Sequence, residues 1–382
     1  MKEIFVDTPE ALAALCDSLR GCAELALDSE FLREKTYYTQ LCLLQIASDE
    51  LIACVDPLAL ETIDPLLDIF YDPQTTLVMH SARQDLEIFF DLRGSLPAPV
   101  FDTQVAATLL GYGDHIGYAN LVREFTGVEL DKQHTRTDWS RRPLGEGQLR
   151  YAADDVRYLL DIYREQRRRL QEKGREEWLQ VDFDALVDTT TYDPPVENLW
   201  KRVRGNQQLK GRQLAIAQML AVWREEQARR VNRPRRWVLK DDVIIDIARR
   251  IPKDLAALEQ IRGLEGRTLE RQGEKLLSLV EQACQLPKEA WPQRPKAARL
   301  TPQQDAVVDL MMAVVRTRGA EHDVSTALLG NRKALEVLVA GAENSPLLQG
   351  WRALLVGRDL QALLAGERSL RVVDGRLVIE EG

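Results

Sequence analysis

The sequence predicts an α/β layer domain in the first half of the chain and an all-α second half. Three observations carry this. Short apolar and β-branched runs crowd residues 24–80. Beyond about residue 205 the strand signals fade, and apolar residues recur at helical spacing. Two proline-bearing polar stretches, residues 189–196 and 286–302, separate the blocks.

In chain order, residues 24–31 (ELALDSEF), 41–47 (LCLLQIA), 51–55 and 76–80 read as strands. The first three leave no room for an intervening helix, so they form an antiparallel meander. Ser81 followed by Gln84 has capping-box spacing and starts a helix after the fourth strand. Residues 148–173 follow a helical period and predict one long helix. Residues 214–223 and 242–248 are helical. The blocks 200–285 and 300–370 each open with a long amphipathic segment and continue with a shorter one, the pattern of a diverged repeat. Near the end, Asp374-Gly375 between apolar residues marks a hairpin turn. The expected domains are 1–196, with its linker, then 197–290 and 291–382.

The 382 residues suit two or three domains, and 45% hydrophobic with 29% charged residues excludes wholesale disorder. No apolar run is long enough for a membrane span, and the N-terminus lacks a signal-peptide core. Five scattered cysteines (Cys16, Cys22, Cys42, Cys54 and Cys284) show no zinc-ligand spacing. The expectation is a reduced, cytoplasmic protein with no obligatory protein partner. The net charge of −9 argues against nucleic-acid binding, but its distribution does not. Between Trp200 and Lys240 stand twelve Lys/Arg against Glu225 and Glu226, a local basic footprint.

Three acidic motifs carry the chemistry. Asp28 and Glu30 are two apart on a strand and share a face, opposite Leu25, Leu27 and Phe31. Paired carboxylates on a strand repel unless a cation lies between them. Asp85 falls in the first turns of the helix after Ser81, where the helix dipole favours an anion. Tyr151 and Asp155 are four apart on one helix face. With Leu149 at zero, the apolar stripe centres near ~330°, Asp155 at ~240° and Asp154 at ~140°. Asp155 therefore borders the core, and Asp154 points to solvent. Four carboxylates can hold two Mg²⁺ or Mn²⁺ ions, which clamp the attacking and leaving oxygens of a phosphoryl displacement. The tyrosine adds a hydroxyl able to orient water.

These motifs resemble the DEDD exonuclease superfamily in its tyrosine-containing branch. Asp28 and Glu30 match its first motif, Asp85 the second, Tyr151 and Asp155 the third. Residues 36–46 (TYYTQLCLLQI), 101–103 (FDT) and 138–144 (DWSRRPL) are similar to the ribonuclease D group. Residues 214–251, with Trp223-Arg224, 232–236 (NRPRR) and Asp242, followed by 261–263 (IRG), resemble HRDC domains; residues 300–370 match less well.

The resemblance implies a ribonuclease H-like exonuclease fold, a mixed sheet flanked by helices, followed by two all-α HRDC-type domains. It implies two-metal 3′→5′ hydrolysis of RNA with release of nucleoside 5′-monophosphates. Asp28 would bridge both ions, Glu30 and Asp155 would complete one shell, Asp85 would serve the second ion, and Tyr151 would position water. The implied partners are RNAs with a 3′ extension, precursor tRNA and small stable RNAs. Candidates for RNA contact are Phe31, although its side chain falls on the core side, and Trp200, Lys201, Arg202, Arg204, Arg235, Arg236 and Trp237. A DNA-directed exonuclease of the same fold, a non-catalytic RNA-binding protein, and an interaction protein built on the helical half are the alternatives.

Overall fold

Apolar residues on both faces of three consecutive strands require a covering layer on each side. In the computed structural model, which describes residues 1–113, 115–131, 137–264, 266–294, 300–342 and 345–381, those strands lie inside a mixed six-stranded sheet. The strands are β1 (Lys2–Val6), β2 (Glu24–Leu32), β3 (Gln40–Ala47), β4 (Leu51–Val55), β5 (Thr76–Met79) and β6 (Val100–Asp102), in the order β1-β4-β3-β2-β5-β6. The expected meander is β2-β3-β4, antiparallel throughout. β1 pairs parallel with β4, and β5 and β6 extend the other side in parallel. Sequence reading missed β1 and β6, the edge strands. One is largely exposed and the other three residues long, so neither carries a clear alternation.

The helices of this half are α1 (Pro9–Leu19), α2 (Asp64–Phe70), α3 (Arg83–Arg93), α4 (Thr103–Leu109), α5 (Tyr118–Thr126), α6 (Glu146–Arg157), α7 (Leu159–Glu172) and α8 (Leu179–Leu186). Leu25, Leu27, Leu44 and Ile46 pack with α1, α2 and α3 on one sheet face. Ala26, Leu43 and Ala47 pack with α4, α6 and α7 on the other. Ala26 and Ala47 face Ala152 and Ala153 of α6, and these short side chains let the helix lie close to the sheet. The single helix expected over 148–173 is two helices, α6 and α7, which meet at Tyr158, where φ is −106° and ψ −3°.

The second half begins with α9 (Arg212–Arg230), α10 (Arg235–Val238), α11 (Asp241–Arg250), α12 (Leu255–Glu259) and α13 (Gly266–Gln285). They enclose a core of their own, from Leu199 and Trp200 to Ala283. After the second linker, whose Pro295 lies outside the described residues, come α14 (Pro302–His322), α15 (Thr326–Leu329), α16 (Arg332–Val339), α17 (Gly350–Arg352) and α18 (Arg358–Ala365). The chain then forms the hairpin β7 (Arg368–Val373) and β8 (Arg376–Glu381). Its turn has positive φ at Asp374 (49°) and Gly375 (74°), as the Asp-Gly pair requires.

The C-terminal block packs against the sheet domain: Val308, Met311, Val314 and Val356 share one apolar cluster with the nuclease-side helices. Trp178 stacks on Trp351 with ring centroids 5.3 Å apart. Arg175, buried, donates to the Leu109 carbonyl at 2.8 Å and to the carbonyl of His322.

A polar cluster joins the first helical domain to the sheet domain. The Tyr37 hydroxyl, on the loop between β2 and β3, donates to Glu225 Oε1 at 2.5 Å and accepts from Arg229 and Arg235 at 2.9 Å each. Asn232 Oδ1 accepts from the backbone N–H groups of Tyr37 and Tyr38 at 3.0 and 3.1 Å. Burial and its bond to Glu225 push the Tyr37 phenol up to about 12, so it stays a neutral donor.

Candidate active site

β2 brings Asp28 and Glu30 to the face covered by α6, and α6 brings Asp155 down to meet them. One oxygen from each of Asp28, Glu30 and Asp155 lies within 4.8 Å of the others. The helix angle places Asp155, not Asp154, beside the core, and Asp155 is the one that lies with Asp28 and Glu30. Asp154 is half-buried rather than fully solvated, and it pairs with Arg157 at 2.6 Å.

Asp85 does not belong to that trio. It is 6% exposed, in the first turn of α3, and accepts a short hydrogen bond from the Ser29 hydroxyl. Ser29 lies between Asp28 and Glu30 and therefore points to the opposite face, where α3 packs.

The expected Ser81–Gln84 capping box is absent. Ser81 has φ of 60°, the cap position of α3 is Ala82, and its side chain makes no cap bond. The Asp102 carboxylate does the work instead. It accepts from the N–H groups of Ser81 and Ala82 at 3.1 and 2.9 Å, and from Gln104 and Val105 at the start of α4. A charged acceptor reaching two helix starts outcompetes a local hydroxyl. His80 is satisfied locally, with Nδ1 2.9 Å from Thr103 Oγ1 and Nε2 3.1 Å from the Ile116 carbonyl.

Tyr151, half-buried on α6, lies beside buried Trp139, ring centroids 6.2 Å apart. The loop carrying Trp139 is anchored by Arg142. Its guanidinium pairs with buried Asp56 at 2.5 Å and donates to the carbonyls of Trp139 and Cys42 at 2.7 Å each. Tyr118 closes the other side, its hydroxyl donating to the Asp154 carbonyl at 2.9 Å.

Burial, followed by neighbouring carboxylates, pushes the acidic groups up. Asp28 lies well above the usual carboxylate range, through burial and then Asp85, Asp155 and Glu30. Glu30 reaches about 8 through burial, Asp155 and Asp85. Asp155 reaches about 7 through burial and Asp154, and Asp85 about 6 mainly through burial. Hard oxygen donors, crowded and desolvated, fit divalent metal ions, which remove both penalties at once.

The nucleic-acid candidates scatter. Trp200 is 4% exposed in the helical core, which corrects its expected role as a stacking platform. Phe31 packs against the α1–α3 side, as the strand parity predicted. Arg235 is half-buried and committed to Glu225 and Tyr37. Lys201, Arg202, Arg204, Arg236 and Trp237 are exposed. Arg202, Arg235, Arg236 and Trp237 line a cleft of about 670 Å³, together with Arg33 and Tyr37 of the sheet domain.

Ser29, Asp102, Trp139 and Tyr118 surround the site and were not named as site residues. Ser29 had a readable signal, a hydroxyl inside the acidic strand motif, and Asp102 and Trp139 lie in the stretches 101–103 and 138–144 that carried the resemblance. Tyr118 acts through a contact distant in sequence.

Both halves of the chain match known proteins. The family described as 3′-5′ exonuclease matches residues 4–171, and that described as HRDC domain matches residues 213–280. Ribonuclease D of Gluconacetobacter diazotrophicus is 40% identical over 381 residues, 98% of this chain and 96% of its own. Ribonuclease D of Acidiphilium cryptum is 38% identical over 374 residues, 96% of this chain and 94% of its own. The crystal structure of Escherichia coli RNase D, described as an exoribonuclease involved in structured RNA processing, is 34% identical with a TM-score of 0.83, covering 96% of this chain and 99% of that one. Matched at this identity over nearly the full length of its relatives, the chain belongs to the ribonuclease D family and is a 3′→5′ exoribonuclease.

Proposed function

We propose that the chain trims RNAs with a 3′ extension, precursor tRNA and other small structured RNAs, by a two-metal-ion hydrolysis that releases nucleoside 5′-monophosphates. The observation that carries this reading is the meeting of Asp28, Glu30 and Asp155 within 4.8 Å, with buried Asp85 behind them. Asp28, Glu30 and Asp155 would hold one Mg²⁺ or Mn²⁺, and Asp28 with Asp85 the second. Bound cations supply charge neutralisation and Lewis acidity at the phosphoryl oxygens. Tyr151 offers its hydroxyl to orient the attacking water. The water oxygen forms a bond to phosphorus as the bond to the preceding nucleotide's 3′-oxygen breaks. The terminal nucleotide leaves as a 5′-monophosphate, and the shortened RNA gains a 3′-hydroxyl. Lys201, Arg202, Arg204, Arg236 and Trp237 provide phosphate contacts and one aromatic face along the strand.

The test is incubation of a 3′-extended precursor tRNA, and a DNA of matched sequence, with protein and Mg²⁺, Mn²⁺ or chelator. The expected outcome is a cation-dependent ladder receding from the RNA 3′ end, with mononucleotide products. Equal attack on the DNA would favour the DNA-directed alternative, and oligonucleotide products would sink the proposed chemistry.

A further inference from the structure

Gln45 sits in β3 with no exposed surface. Its partner in register on β2 is Asp28, and its partner on β4 is Cys54. Directly opposed residues of an antiparallel pair project to the same face, with Cβ atoms about 4.5–5.5 Å apart. The packing on either side agrees. Leu44 and Ile46 belong to the α1–α3 cluster, whereas Leu43 and Ala47 belong to the cluster under α6. Gln45 therefore lies on the α6 face, one strand from Asp28, with Leu43 standing opposite Glu30.

Neither Nε2 nor Oε1 of Gln45 has a hydrogen-bond partner, although both are buried from solvent. Among the described residues, the other orphaned buried side-chain amide atom is Gln166 Oε1, and Gln166 still donates to the Thr103 carbonyl at 2.9 Å. A Leu or Met of similar volume would fill the same space without the cost of a desolvated amide.

Ligating carboxylates are held by hydrogen bonds from a surrounding layer, and Asp85 already has such a donor in Ser29. We propose that Gln45 is the corresponding positioning residue for Asp28: its amide N–H group donates to the Asp28 carboxylate when that group ligates a cation, and fixes its orientation. This rests on reading the acidic cluster as a cation site.

The test uses the full chain, with Mn²⁺ binding measured by calorimetry and the metal-free thermal midpoint measured alongside. Gln45→Met is expected to keep or raise the metal-free midpoint while weakening Mn²⁺ binding by roughly tenfold. In an Asp28→Asn background the same change should have no further effect on Mn²⁺ affinity. Unchanged Mn²⁺ affinity in Gln45→Met, with the wild type binding normally, overturns the inference and leaves the cation site standing. Failure of the wild type to bind Mn²⁺ overturns the cation site itself, and the inference with it. Gln45→Leu guards against a packing artefact of methionine. Loss of the fold in both variants would also overturn the proposal, because it would make the amide a structural necessity.

Discussion

Asp28, Glu30 and Asp155 are gathered by the fold against their own repulsion, so their protonation decides what each variant does. Asp28→Asn and Asp155→Asn replace an anionic ligand oxygen with a neutral one, which a hard cation accepts poorly. Both should abolish hydrolysis while RNA affinity holds and the metal-free thermal midpoint holds or rises. Asp154→Asn loses only a partly exposed pair with Arg157, worth about 0–1 kcal/mol, and should leave the rate unchanged. A loss at Asp154 equal to that at Asp155 would show that the wrong neighbour had been assigned.

Tyr151→Phe keeps the ring against Trp139 and removes the hydroxyl. Single-turnover rates should fall roughly 10²–10⁴-fold with little change in binding, and an unchanged rate would reduce the tyrosine to packing. The raised carboxyls also set a pH dependence. Between about pH 4, where unfolded carboxyls ionise, and the folded values of about 6, 7 and 8 for Asp85, Asp155 and Glu30, the folded state binds more protons. The metal-free protein should therefore lose stability as pH rises through this window. The thermal gain from added Mg²⁺ should be larger at pH 8.5 than at pH 5.5. Thermal shifts at the two pH values measure both, and a metal-free midpoint that rises across the window contradicts the assignment.

Much of the site was legible at the scale of elements because its two carriers obey local periodicities. The parity of β2 put Asp28 and Glu30 together, and the angle on α6 chose Asp155. The start of α3 was misread because the winning cap came from Asp102, some twenty residues away, and no local pattern records that. The break at Tyr158 and the two edge strands were likewise invisible, since apolar spacing continues across the first and barely exists in the others. Asp102 has a measurable consequence. Asp102→Ala orphans the N–H groups of Ser81 and Ala82 and uncaps α4. An unsatisfied buried donor costs about 1–3 kcal/mol and a lost cap about 1 kcal/mol. The variant should melt at lower temperature and lose activity as Asp85 drifts, although every carboxylate of the proposed cation site remains. A midpoint equal to that of the wild type would show that the two helix starts do not depend on this residue.

Across the whole molecule, the basic block read from the sequence resolves into two populations. Arg224 pairs with Asp241 at 2.6 Å, Arg229 with Asp193 at 2.5 Å, and Arg235 is bound to Glu225 and Tyr37. These charges hold the helical domain together and fasten it to the sheet domain. Counting Lys and Arg along the chain could not reveal this, because most of their partners lie beyond the counted segment or in another domain. Arg202 and Arg236 are exposed, and both line the cleft that Trp237, 58% exposed, also borders. Sequence-independent affinity for RNA should come from this second population. Each phosphate contact contributes roughly −0.7 to the slope of log affinity against log salt for a single strand. Replacing Arg202 and Arg236 together by Ala should weaken binding at low salt and make the slope shallower by about 1.4. Trp237→Ala should cost about 1–3 kcal/mol of binding with the slope unchanged, because stacking releases no counterions. The rate on a saturating short single strand should stay near wild type in all of them, since the acidic site is untouched. Arg235→Ala should behave differently, lowering the thermal midpoint because it leaves buried Glu225 short of a partner. Binding isotherms at four or five salt concentrations separate these outcomes. Parallel salt lines for the wild type and the double Ala variant would mean that the cleft arginines touch no phosphate and that the strand takes another path to Asp28.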